Sequence, residues 1–102
     1  MPEDNNHNNQ YKKNLEQLGI NPSKKLGQNF IFDKNILNKI TSLINPDACD
    51  LVIEIGPGLG GLSEALLNNN VKKILLVEKD RQFTQLLNAL KSKYPDQIDI
   101  IF

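Results

Sequence analysis

Leu51-Val52-Ile53-Glu54-Ile55-Gly56-Pro57-Gly58-Leu59-Gly60-Gly61 is the stretch on which the fold turns. Leu51, Val52, Ile53 and Ile55 are apolar on both faces, as an interior strand of a parallel sheet requires. Glu54 alone interrupts the run, and a carboxylate there is costly to bury unless a donor or a cation meets it. A glycine-rich turn follows, then Leu62, Ala65, Leu66 and Leu67 on a helix. Strand, tight turn and helix N-terminus form the device by which α/β proteins hold a nucleotide-like ligand at the carboxyl end of a strand. The glycines have separate tasks in such a turn. One takes φ > 0, one lets a ligand touch the main chain, and one lets the helix approach the strand.

Working outward, Val71 to Val77 is expected to be a second strand ending in Glu78. A carboxylate at that tip is placed to accept hydrogen bonds from both hydroxyls of a ribose. Phe83, Leu86, Leu87 and Leu90 then recur at helical spacing, and Pro95-Asp96 stops that helix. Ile98-Asp99-Ile100-Ile101-Phe102 begins a third strand. On the other side, Asp33 is expected to cap a helix whose apolar stripe is Ile36, Leu37, Ile40, Leu43 and Ile44. Lys34, Asn38, Lys39 and Thr41 fall on its opposite side, and Asn45-Pro46-Asp47 ends it. Strands alternating with helices predict a parallel sheet with right-handed crossovers.

The 102 residues are at the short end for one α/β domain, and a formal charge of zero gives no global field toward nucleic acid or membrane. No run is long and apolar enough to span a bilayer, and the N-terminus lacks the apolar core of a signal peptide. The single cysteine, Cys49, cannot form an internal disulfide, which fits a reducing cytosol; it reads as a small apolar filler. Residues 1–22 are expected to be a largely disordered polar tail, with one helical turn near Leu15–Ile20. The only histidine, His7, lies in it without a second ligand at metal-binding spacing, so no metal site is expected. The loop Ser23 to Asp33 has two readings. On spacing alone it packs its aromatics on the domain; alternatively it closes over a ligand, with Gln28 or Asn29 hydrogen-bonding it.

Gly56, Gly58 and Gly61 satisfy G-x-G-x-x-G, and Glu78 follows about 20 residues on, so a dinucleotide such as NAD fits the pattern. Two residues argue against it. Pro57 removes an N–H from the turn that would cradle a pyrophosphate, and Glu54 puts negative charge just behind that turn. A ligand with ribose hydroxyls, adenine and a positive group suits both residues better. S-adenosylmethionine has a sulfonium, an ammonium and a ribose, and no phosphate.

Lys25-Leu26-Gly27-Gln28-Asn29-Phe30, Glu54-Ile55-Gly56-Pro57-Gly58-Leu59-Gly60 and Val77-Glu78-Lys79-Asp80, in this order and spacing, resemble the ribosomal RNA adenine dimethyltransferases, the kasugamycin-resistance type. The resemblance implies a Rossmann-like, S-adenosylmethionine-dependent methyltransferase fold, truncated here after the third strand. Residues 23–102 would be the N-terminal part of its cofactor-binding domain. It also implies dimethylation of the N6 amines of two adjacent adenines near the 3′ end of small-subunit ribosomal RNA. The implied partner is that RNA or the pre-30S particle, in the cytoplasm, with a monomeric whole protein and neither metal nor membrane. Carried over by position, Asn29, the backbone at Ile31, Gly56, Gly58 and Glu78 would contact the cofactor. Ile31 stands where the family usually has Leu. On this ground the Ser23–Asp33 loop becomes a cofactor lid.

The family's Asn-Leu-Pro-Tyr motif for the target base, and its helical RNA-gripping domain, have no counterpart before Phe102. Asn21-Pro22 and Asn45-Pro46 lack the aromatic that would stack on a base. No catalytic residue is therefore assigned, and the 102 residues alone are expected to be inactive. The competing expectations are an NAD-binding oxidoreductase and a non-catalytic rRNA-binding assembly module. The latter would use Lys12, Lys13, Lys24 and Lys25 as its contact patch.

Overall fold

The computed structural model describes residues 33–102. The expectations for the tail 1–22, for His7 and for Asn29 and Ile31 in the lid loop lie outside the described residues. The described elements are α1 (Lys34–Thr41), β1 (Val52–Ile55), α2 (Gly61–Asn68), β2 (Ile74–Val77), α3 (Thr84–Lys93) and β3 (Ile98–Ile101), with short 3-10 turns at Pro46–Ala48 and Arg81–Phe83. The strands form one parallel sheet in the order β1-β2-β3. Val52 pairs with Ile74 and Ile74 with Ile98, so the three strands start level and their carboxyl ends fall together. This is the α/β, Rossmann-like arrangement that the alternating pattern predicts.

Local chemistry accounts for the element ends. Asp33 accepts hydrogen bonds from the N–H groups of Asn35 and Ile36, satisfying donors that the first turn of α1 leaves free. At the other end of α2, Asn70 takes φ +66°. Its N–H donates to Leu67 and the Val71 N–H donates to Leu66, closing the helix in the double-bonded left-handed motif. Val71 is thus held at the helix end and buried. The second strand starts at Ile74, later than the Val71 that the apolar run suggested.

Both crossovers run in the same direction across the sheet, so α2 and α3 lie on one face. Leu66 and Leu67 of α2, Phe83 beside α3, and Leu87 and Leu90 of α3 pack there on Ile74, Leu76 and Ile98. The opposite face is open among the described residues. Ile53 is 56% exposed and Ile55 75% exposed, and Ile101 is exposed too. β1 therefore differs from the strand buried on both faces that its composition predicts. Among the described residues it has a covered face carrying Val52 and Glu54, and a bare one. Helix α1 also differs from its predicted stripe. It ends at Thr41, so Leu43 lies past the helix and is exposed, while Leu37 and Thr41 turn inward toward α2. The Asn69 side-chain amide then donates to the Thr41 carbonyl at 3.0 Å, tying the two helices.

Candidate functional site

The site is the carboxyl end of β1 and β2, with the turn that leads into α2. Sheet pairing continues past the strand ends: the Gly56 N–H donates to the Val77 carbonyl at 2.8 Å, and the Glu78 N–H to the Ile101 carbonyl at 2.9 Å. Within the turn, the Gly60 N–H donates to the Pro57 carbonyl at 2.9 Å. Pro57 thus gives no donor to the turn but supplies the acceptor that closes it.

Two glycines of the turn have distinct surroundings. Gly60 has φ +82° and is the cap residue of α2. A Cβ built on it would stand 3.1 Å from Leu90 Cδ2, so this is where helix α3 crowds the turn. Gly61 is the first residue of α2. Gly56 also has positive φ, at +71°, but a Cβ there would meet nothing within 4 Å. The main chain at Gly56 is exposed to open space, as contact with a ligand needs.

Glu78 is nearly buried, at 5% exposure. Its Oε1 accepts from the Gly58 N–H at 2.8 Å, and its Oε2 from the Asp80 N–H at 2.9 Å. These bonds make burial of the carboxylate tolerable. They also lash the second strand to the turn after the first. A carboxylate has about four acceptor positions, so lone pairs remain for ribose hydroxyls.

Glu54, on the covered face of β1, meets a partner that sequence reasoning missed. The Ser63 hydroxyl, on the first turn of α2, donates to Glu54 Oε1 at 2.7 Å. Burial pushes the Glu54 carboxyl above its ordinary value of 4.5; the Ser63 hydrogen bond opposes this and the charge of Glu78 reinforces it. A polar Ser63 among Leu62, Ala65, Leu66 and Leu67 was the available signal. Gly56, Gly58 and Glu78 are thus brought together, with Glu54 beneath them. Among the described residues no group of three His, Cys, Asp or Glu side chains is placed to hold a metal ion, and no helix is long and apolar enough to cross a membrane.

The arrangement fits a nucleoside better than a pyrophosphate. It offers main chain for a ligand to lie against at Gly56, a fixed acidic acceptor at Glu78, a second acid at Glu54 and no N–H at Pro57. Comparison with known proteins supplies the family. The chain is 38% identical over 87 residues to the ribosomal RNA small subunit methyltransferase A of Agrobacterium fabrum, covering 85% of this chain and 32% of that protein. It is 44% identical over 87 residues to the protein of the same name from Staphylococcus epidermidis, covering 85% of this chain and 29% of the relative. The chain thus spans about a third of the length of the curated relatives it matches. Residues 19–101 match the family described as ribosomal RNA adenine dimethylase. With its glycine turn, its strand-tip glutamate and this match over most of its length, the chain belongs to the ribosomal RNA adenine dimethylase family.

Proposed function

We propose that this chain supplies the S-adenosylmethionine-binding part of an enzyme that dimethylates the N6 amines of two adjacent adenines near the 3′ end of small-subunit ribosomal RNA. The observation that carries the reading is the buried Glu78 carboxylate, tied to the Gly58 N–H at the end of two parallel strands. Family membership supplies the reaction class.

Glu78 would turn its remaining lone pairs to the ribose hydroxyls. The open main chain of Gly56, with Gly58 beside it, would lie against the nucleoside. Glu54 would set a counter-charge beneath the cationic end. Asn29 and the backbone at Ile31, outside the described residues, would complete the contacts from the loop of residues 23–33. When bound, the cofactor supplies an electrophilic methyl group on a sulfonium.

Reaching an exocyclic amine requires the base to leave its stack. What the enzyme then contributes is chiefly alignment of the amine with the methyl carbon. The residues of this chain orient the donor. The groups that receive the adenine are proposed to belong to parts of the whole protein with no counterpart in this sequence. The same reading makes residues 23–102 part of the cofactor-binding domain, preceded by a polar tail. It makes the RNA or pre-30S particle the cytoplasmic partner of a monomeric enzyme.

Calorimetric titration of the 102-residue chain with S-adenosylmethionine, S-adenosylhomocysteine and NAD tests the reading. Binding of the first two and indifference to NAD is expected. Tight uptake of NAD with no response to either adenosyl compound would overturn it.

A further inference from the structure

The Ser63 hydroxyl is the one side chain in the site that neither the glycine turn nor the strand-tip acid accounts for. Ser63 is fully buried, at 0% exposure, on the first turn of α2. Its hydroxyl donates to Glu54 Oε1 at 2.7 Å, a short, charge-assisted bond. The two residues stand on either side of the glycine turn, nine positions apart. Their hydrogen bond therefore closes the base of the turn, while Glu78 and Gly58 close its far side. Among the described residues Ser63 is the only hydrogen-bond donor to Glu54.

We propose that Ser63 is a positioning residue of the ligand site: it holds the Glu54 carboxylate in one orientation beneath the glycine turn, as a fixed counter-charge to the cationic end of an adenosyl amino acid. This rests on the methyl-donor reading above and names the group that orients its charge.

The electrostatics around Glu54 show why it needs a holder. Of the charged groups on the elements packed about it, Glu78 at the end of β2 acts on it and is itself an acid. Glu64, the next residue on α2, lines a groove with Lys34 and Asn38 of α1. Lys79, beyond Glu78, is exposed. No described cation neutralises Glu54. Burial and the neighbouring acid both favour the protonated form, and a proton on Glu54 would cancel the charge that attracts a cation. The Ser63 hydroxyl donates to the ionised form and so opposes that proton. Removing it frees the carboxylate to rotate and makes it easier to neutralise.

The test uses the 102-residue chain with Ser63→Ala and the hydroxyl-keeping Ser63→Thr. Two probes are titrated by calorimetry across pH: S-adenosylmethionine, and 5′-methylthioadenosine, which keeps the adenine and ribose but has no ammonium or sulfonium. Ser63→Ala is expected to weaken S-adenosylmethionine about tenfold and 5′-methylthioadenosine less than about twofold, with Ser63→Thr close to wild type. The affinity for S-adenosylmethionine should rise with pH as Glu54 ionises, and Ser63→Ala should displace that rise to higher pH. Equal weakening of both probes would make Ser63 merely structural and overturn the proposal. Carbon-13 NMR of the Glu54 carboxyl in the ligand-free chain provides a readout independent of the cofactor. A midpoint moved upward by Ser63→Ala supports the hold on Glu54, and an unmoved one overturns it. Failure of wild type to bind either probe would sink the methyl-donor reading, and the NMR midpoint would still decide the role of Ser63.

Discussion

Glu78 and Gly58 lie 20 positions apart in the chain and are joined by a hydrogen bond of 2.8 Å, from the turn after β1 to the tip of β2. The acid expected to hold a ribose is therefore also the clamp that shapes the turn on which the ligand would lie. Binding and local stability share one carboxylate, which fixes how its variants should behave.

Glu78→Ala leaves the Gly58 and Asp80 N–H groups without their acceptor at a nearly buried position. A loss of about 1–3 kcal/mol is expected, read as a lower denaturation midpoint. Glu78→Gln should also destabilise, because an amide has one acceptor oxygen while two backbone donors point at this side chain. Both variants should bind S-adenosylmethionine more weakly than wild type. Unchanged affinity in calorimetry would remove the ribose role and leave only the clamp.

Gly60 and Gly56 should respond to alanine in opposite ways. At Gly60 the methyl meets Leu90 Cδ2 at 3.1 Å in a left-handed backbone, so strain and crowding add; a cost of about 1–3 kcal/mol is expected. At Gly56 only the backbone conformation costs, about 1–2 kcal/mol, since nothing lies near the added carbon. The methyl would instead occupy the space proposed for the ligand. Gly56→Ala should therefore lose affinity beyond its loss of stability, and Gly60→Ala the reverse. Urea denaturation and calorimetry of the two variants, run side by side, check this.

The raised Glu54 carboxyl makes stability depend on pH. The folded chain holds this proton more tightly than the unfolded chain, whose carboxyl titrates near 4.5. Between that value and the higher folded value the folded state carries more protons, so stability falls as pH rises through this window and levels off above it. Glu54→Gln should abolish this contribution while keeping an oxygen for the Ser63 hydroxyl. The variant is expected to be more stable than wild type near neutral pH, with the difference shrinking in acid. Denaturation midpoints measured from acid to neutral pH provide the check; parallel profiles for the two proteins would contradict it.

Among the described residues Ile53, Ile55 and Ile101 form an uncovered apolar surface, and β1 has a strand neighbour on one side only. Apolar faces and open edges of this kind favour association. The chain is expected to self-associate as its concentration rises. Ile55→Lys, at a residue 75% exposed, should reduce that association without lowering the thermal midpoint. Sedimentation velocity at several concentrations reads this directly. A monomeric wild type with a sharp, cooperative melt would show the surface to be harmless.

Much of this was legible in the residues themselves. The order of strands and helices, the Asp33 cap, the glycine turn and Glu78 at a strand tip all follow from short-range rules, since periodicity and turn chemistry act over a few positions. The tertiary structure decided the rest. It turned Thr41 inward and, among the described residues, left one face of β1 open. It also set Gly60 against Leu90, and Ser63 against Glu54. Each of these depends on how closely the helices pack on one another and on the sheet, and no local pattern carries that information.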